Sequence, residues 1–286
     1  MFSLRLTSGV SSRARRGAGA LALSWLAAAA AFGALAGLGG CASSSTSLSS
    51  GVEELHTTSD DTDARRRART HLALATGYFQ DDKISVALDE AKKAMQGDPS
   101  FSEPYDLGGL IYMRMNDLAL AQAHFEKALS VNPRDASAMH NMGWLKCRQK
   151  QYAEATSWFQ RAIAVPGYPG KARTWLAQGA CEIASGEHAK AEQSLIQSFD
   201  LDPSNPVTGY NLAKLLYERG DLQRAQFYIR RINNSEQANA ESLWLGIKVE
   251  HKLSNTEAVE QLALQLRRRF SESKQLASYE RGAFDD

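Results

Sequence analysis

The segment Gly109-Leu110-Ile111-Tyr112-Met113-Arg114-Met115-Asn116-Asp117-Leu118-Ala119-Leu120-Ala121-Gln122-Ala123-His124-Phe125-Glu126-Lys127-Ala128-Leu129-Ser130-Val131-Asn132-Pro133 decides the fold. It reads as two helices around the polar turn Asn116-Asp117, with Pro133 stopping the second. Gly109 lets the helices approach, Phe125 fills the space between them, and Ala121 and Ala128 keep the hairpin tight. Pro133 lies 34 residues after Pro99, and the same step carries Tyr78 to Tyr112, Ala87 to Ala121 and Ala94 to Ala128. A fixed period with matched small and aromatic positions predicts stacked helical hairpins, none able to bury its apolar face alone.

Working outward, six such units can be laid down, each resembling the tetratricopeptide repeat (TPR), whose expected period is about 34 residues. They start near Ala68, Ser102, Ala136, Ala172, Pro206 and Asn239. The third is longer, ending in Pro166-Gly167-Tyr168-Pro169-Gly170; the fifth and sixth lack the terminal proline. The predicted fold is all-α, a right-handed superhelical solenoid of about six TPR hairpins over residues 64–270. Residues 271–286 are left open between a last helix and a tail.

The chain begins differently. Arg13, Arg15 and Arg16 precede an apolar run from Leu21 to Leu38, which gives way to Gly39-Gly40-Cys41. A basic region, an apolar region and a small-residue exit are the parts of a secretory signal peptide, here residues 1–40. The join to Cys41 resembles a bacterial lipobox; the alternative is an uncleaved transmembrane anchor, since about 18 apolar residues can just span a bilayer. Cleavage before Cys41 would leave its sulfur carrying diacylglycerol and its new amino terminus acylated with a fatty acid such as palmitate. Each buried methylene contributes about 0.8 kcal/mol, so two or more chains anchor stably. Ala42 is not the aspartate that marks inner-membrane retention, so the expected address is the periplasmic face of the outer membrane. Residues 41–63, rich in Ser, Thr and Asp, read as a flexible tether.

Several chemistries are disfavoured. Without the first forty residues, which hold four arginines and no acid, 29 basic side chains face 32 acidic ones, a balance with no footprint for nucleic acid. The six histidines are scattered and form no metal-binding helical pair. Ser271-Glu272-Ser273-Lys274 matches a Ser-x-x-Lys string without its companion motifs. No phosphate loop or nucleophile elbow appears, so the chain reads as a non-enzyme with no cofactor, no metal and no small-molecule substrate. Cys147 and Cys181 lie on the first helices of repeats three and four, Cys181 two positions earlier in register. Two readings stand: a disulfide permitted by export, or two small buried residues.

The inner surface of such a solenoid is lined by its first helices. In the first three repeats it should present Leu72, Phe79, Leu110, Met113, His140 and Trp144, with Arg69, Asp106, Arg114 and Arg148 among them. That describes an apolar groove with a charged rim for a partner helix or extended peptide. The predicted anchors are Leu72, Phe79, Leu110, Met113 and Trp144, with Arg114 on the rim. Repeats four to six add Arg173, Leu176, Ile183, Tyr210, Lys214, Tyr217, Glu218, Leu243 and Ile247. The carboxylate clamp of chaperone-binding TPR domains is absent, its positions being Leu72, Thr76, Leu107, Ser137 and Asn141.

Lipobox, tether and six repeats together resemble the type IV pilus biogenesis/stability lipoproteins, the PilW/PilF family. The more specific parts are Asn141–Cys147, Gly179-Ala180-Cys181, the Val165–Lys171 loop, Glu241–Gly246 and the ending Gly282-Ala283-Phe284. The departures are Lys146 and Glu182, where the general repeat prefers an aromatic. The resemblance implies an outer-membrane lipoprotein acting as a pilotin in secretin localisation and multimerisation, or in pilus stability. Its implied partners are a pilus secretin or another pilus assembly protein, and membrane lipid through acylated Cys41. The alternative is an envelope lipoprotein scaffolding peptidoglycan enzymes or outer-membrane protein assembly.

Overall fold

The computed structural model describes residues 60–284. The predicted signal peptide, Cys41 and most of the predicted tether lie outside them. The described residues are all helix and turn. Six antiparallel hairpins follow one another: α1 (Asp63–Gln80) with α2 (Ile84–Gly97), α3 (Ser102–Arg114) with α4 (Leu118–Val131), and α5 (Ala136–Arg148) with α6 (Tyr152–Ala164). Then come α7 (Lys171–Ala184) with α8 (His188–Leu201), α9 (Pro206–Arg219) with α10 (Leu222–Asn233), and α11 (Ala240–Lys252) with α12 (Thr256–Arg269). The stretch left open between helix and tail holds a short helix, α13 (Lys274–Glu280). Each hairpin packs on the next, and first helices touch first helices, as α3 touches α5 and α5 touches α7.

The turn within every hairpin uses one backbone solution. Asp82, Asn116, Lys150, Gly186, Gly220 and Ser254 all have positive φ, between 59° and 84°. Such a residue ends a helix by letting the following N–H reach back to an orphan carbonyl. Accordingly Lys83, Asp117, Gln151, Glu187, Asp221 and Asn255 donate to the carbonyls of Tyr78, Tyr112, Lys146, Glu182, Leu216 and Glu250, at 2.8–2.9 Å. The register steps by 34 residues, except by 36 between Lys150 and Gly186, where the Pro166–Gly170 loop supplies the two extra residues.

Starts are set by side-chain caps. Thr62, Asp117, Asp135, Asn205, Asn255 and Ser273 accept from first-turn N–H groups, and Asn239 forms a capping box with Ser242. The folded unit begins slightly before the predicted tether ends. Thr62 caps α1, and Asp61 Oδ2 accepts from Arg69 Nε at 2.5 Å.

Within hairpins, size is traded across the helix pair. A Cβ on Gly109 would lie 2.3 Å from Phe125, on Gly143 2.7 Å from Phe159, and on Gly179 2.7 Å from Leu195. The equivalent pairs elsewhere are Ala75 with Ala91, Ala213 with Ile229, and Ile247 with Ala263, all fully buried. The core is therefore a row of small clusters, one per junction.

Candidate functional site

The inner face is built by α1, α3, α5, α7, α9 and α11. Over the first three hairpins it is only partly the predicted groove. Leu72 and Phe79 are half-buried against the cluster of Ala75, Ala87, Ala91, Leu107 and Ile111, while Leu110 packs on the next cluster. Trp144 is 39% exposed. Met113 is no anchor: it is 5% exposed, in a core with Phe125, Met142 and Leu145. Its side chain points into the junction between the second and third hairpins, so it holds repeat to repeat.

The predicted rim charges are also engaged. Arg114 donates from Nε and Nη2 to Asp82 Oδ1, at 3.1 and 2.9 Å. One repeat later, Arg148 donates to the Met113 carbonyl and to Asn116 Oδ1, both at 2.9 Å. Each arginine thus ties its helix to the left-handed turn of the hairpin before it.

A polar cluster lies between α3, α5 and α7. Asn141 Nδ2 donates to both oxygens of Asp106, at 2.8 and 3.0 Å. Burial pushes the Asp106 carboxyl up to about 7, against the Asn141 bonds that favour its ionised form. His140 Nδ1 lies 2.9 Å from Thr174 Oγ1, and burial lowers its pKa to about 4, with Arg173 adding to the effect. This imidazole is neutral near pH 7.

Cys147 and Cys181 are joined in a disulfide with Cα atoms 5.9 Å apart. Both are buried beside Ala155 and Phe159, so the bond links the end of α5 to α7 through the core.

A cleft of about 520 Å³ opens over α9, α11 and the start of α13. Tyr210, Tyr217 and Trp244 form its aromatic lining; Lys214, Lys248 and Lys252 bring cations, and Glu218 and Glu241 bring carboxylates. Lys248 Nζ lies 5.5 Å from the Tyr217 ring centroid and 5.7 Å from that of Trp244; Lys252 Nζ lies 5.1 Å from Tyr217. Burial, then Glu241 and Glu218, raise the Tyr210 hydroxyl above its ordinary value, keeping it a proton donor.

Starting the sixth repeat at Asn239 puts Leu243 and Ile247 on this face, and the structure corrects that. Both are fully buried core, and Trp244 and Lys248, one residue on, line the cleft. The signal was present in Asn239-x-x-Ser242: Asn239 is the cap, so the helix starts at Ala240, 34 residues after Pro206.

Residues 109–166 and 182–244 each match the tetratricopeptide repeat family. The type IV pilus assembly protein PilF of Pseudomonas aeruginosa is 26% identical over 244 residues, covering 85% of this chain and 94% of that protein. The solved structure of P. aeruginosa PilF superposes with a TM-score of 0.68 at 24% identity, over 77% of this chain and all of that one. The crystal structure of PilW, a widely conserved type IV pilus biogenesis factor, gives a TM-score of 0.66 at 28% identity, over 74% of this chain and 97% of that one. The chain is thus a tetratricopeptide-repeat protein homologous to PilF and built like PilF and PilW.

Proposed function

We propose that this protein is a non-enzymatic scaffold of type IV pilus assembly, working as a pilotin that helps a pilus secretin reach the outer membrane and multimerise. The observation that carries the reading is the end-to-end relation to PilF, which covers nearly all of that protein and so extends beyond shared repeats. The inner face supplies the means. Leu72, Phe79, Leu110 and Trp144 offer apolar surface on the first three hairpins, and the fixed repeat stacking holds it in one shape. Anchoring through an acylated Cys41 would hold that face at the membrane where the secretin inserts.

The test is a deletion strain complemented with variants. Secretin multimers and surface pili should be lost on deletion and restored by the parent protein. Phe79→Ala and Trp144→Ala should weaken secretin binding roughly 30-fold, since a central aromatic anchor contributes about 2 kcal/mol or more and 1.4 kcal/mol is tenfold. Trp144→Ala should leave helicity intact because the side chain is exposed. Unchanged multimers and pili after deletion would sink the reading. Recovery of cell-wall enzymes in place of secretin would favour the envelope-scaffold alternative.

A further inference from the structure

A second cleft, of different chemistry, lies between the third and fourth hairpins on the side of the second helices. It holds about 600 Å³, within the roughly 300–1,000 Å³ of small-ligand sites. Helix stripes converge on it. Trp175, Gln178 and Glu182 stand at i, i+3 and i+7 on α7, Gln193, Ser194 and Gln197 at i, i+1 and i+4 on α8, and Gln160 comes from α6. The repeat itself marks the place. Counted from the turns, the position of Ser194 is taken by His124, Trp158 and Tyr228 in the neighbouring hairpins. A hydroxyl stands where they hold a ring, and the cleft opens over it.

The floor is a closed network. Gln178 Nε2 donates to Glu182 Oε1 at 2.8 Å, Ser194 Oγ donates to Glu182 Oε2 at 2.7 Å, and Gln160 Nε2 donates to Gln178 Oε1 at 2.8 Å. Gln178, Glu182 and Ser194 are buried, so the carboxylate belongs to the floor and is not presented. Lys190, at the edge, is paired with Glu187. What remains for a ligand is uncharged: the exposed carboxamides of Gln193 and Gln197, the Ile196 side chain and the Trp175 indole, whose Nε1–H has no acceptor among the described residues. Arg161 covers the Trp158 ring and Phe284 stacks on Trp244, but no described ring or cation covers Trp175.

We propose that this cleft is a carbohydrate site, taking a neutral oligosaccharide of acetamido sugars. One face of a sugar ring is a sheet of C–H groups that packs flat on an indole, while its hydroxyls bond to carboxamides. An acetamido group adds an N–H and a C=O, which a glutamine carboxamide matches with its own C=O and N–H, and a methyl that Ile196 covers. The lining holds no unpaired charge to compensate the desolvation of an ionic ligand, so acidic and basic segments are disfavoured. A single aliphatic side chain beside one indole also gives an amphipathic helix no row of anchors. The buried network ties α6, α7 and α8 together, so the site is formed before the ligand arrives. Because it is built mainly on second helices, a glycan here leaves the inner face open to a protein partner.

The test is isothermal titration of the full chain with the tetramer of N-acetylglucosamine, which the parent should bind. Trp175→Ala should weaken binding by about tenfold or more, and Gln193→Ala/Gln197→Ala by a similar factor. Both glutamines are exposed, so the double variant should keep the parent's helicity and melting temperature. Trp175→Phe, which keeps a flat ring, should retain most of the affinity and so separates stacking from damage to the fold. Cellotetraose, the same length without acetamido groups, should bind about tenfold more weakly. No binding of the N-acetylglucosamine tetramer to the folded parent would overturn the proposal. Undiminished binding by the glutamine double variant, or equal binding of cellotetraose, would do the same. Binding of a neutral extended peptide with none of the sugar would make this a peptide site instead.

Discussion

Tyr78, Tyr112, Lys146, Glu182, Leu216 and Glu250 occupy one position in six successive hairpins, and each gives its carbonyl to the same turn bond. Their side chains solve burial differently. Lys146 is 9% exposed, with Nζ 3.3 Å from Glu154 Oε2 and 3.4 Å from Gln122 Oε1. Glu182 accepts from Gln178 Nε2 and Ser194 Oγ, at 2.8 and 2.7 Å. Glu250 accepts from Arg230, Gln226 and Asn255. A buried carboxylate is tolerable only when so partnered, and three of those partners, Ser194, Gln226 and Arg230, stand on other helices. That is why the sequence shows Lys146 and Glu182 as departures and not as the centres of a network. Asp106 yields a prediction at this scale. Its folded carboxyl holds a proton up to about pH 7, whereas an unfolded aspartate releases it near about 3.9. Between those values the folded state binds the extra proton, so its stability falls as pH rises through the window, and the penalty persists above it. Asp106→Asn should therefore be more stable than the parent at pH 7.5, and the difference should vanish below about pH 4. Urea melts at the two pH values decide it; a constant difference would contradict the burial argument.

The hairpin was legible because its rules are local and repeated. Gly109 facing Phe125 and Gly143 facing Phe159 announce close approach, and Asn116-Asp117 or Gly220-Asp221 announce the turn. Which face each first helix turns inward was less legible. A one-residue error rotates a helix by about 100°, enough to exchange Trp244 with Leu243. Met113 shows the same limit without any register error, because a residue at the edge of the inner face is claimed by whichever neighbour packs more closely. The disulfide depends on the two extra residues of the third unit. Without them Cys147 and Cys181 would be equivalent positions of adjacent repeats; with them Cys181 lies two positions earlier on its helix, and the Cα atoms stand 5.9 Å apart. Denatured, unreduced protein should show no reactive thiol from this pair. Cys147→Ala/Cys181→Ala should cost about 3–4 kcal/mol, the loop entropy of a closure this long. Two reactive thiols in the parent would remove the bond from the account.

As a whole molecule, the protein is a solenoid preceded by a segment whose reading rests on sequence alone. No described helix is long and apolar enough to cross a membrane, and the apolar run from Leu21 to Leu38 lies outside the described residues. We propose membrane attachment through Cys41, a reading that rests on the Gly39-Gly40-Cys41 join in the sequence, and the proposal is testable. Cys41→Ser should leave either an unprocessed precursor or a soluble form, and mass spectrometry of the mature parent should find an acylated cysteine as its first residue. An unmodified Cys41 would end the localisation argument. The disulfide has a mechanical consequence at this scale. A chain held at one end and pulled from the other carries tension in series through every hairpin. The Cys147–Cys181 bond is a shunt across that path, so the covalent load bypasses α6 and the Pro166–Gly170 loop. Pulled from its ends, the oxidised protein would extend by roughly 110 Å less than the reduced one, the contour of the shielded residues. While the bond holds, the segment with the irregular repeat is not drawn out at all.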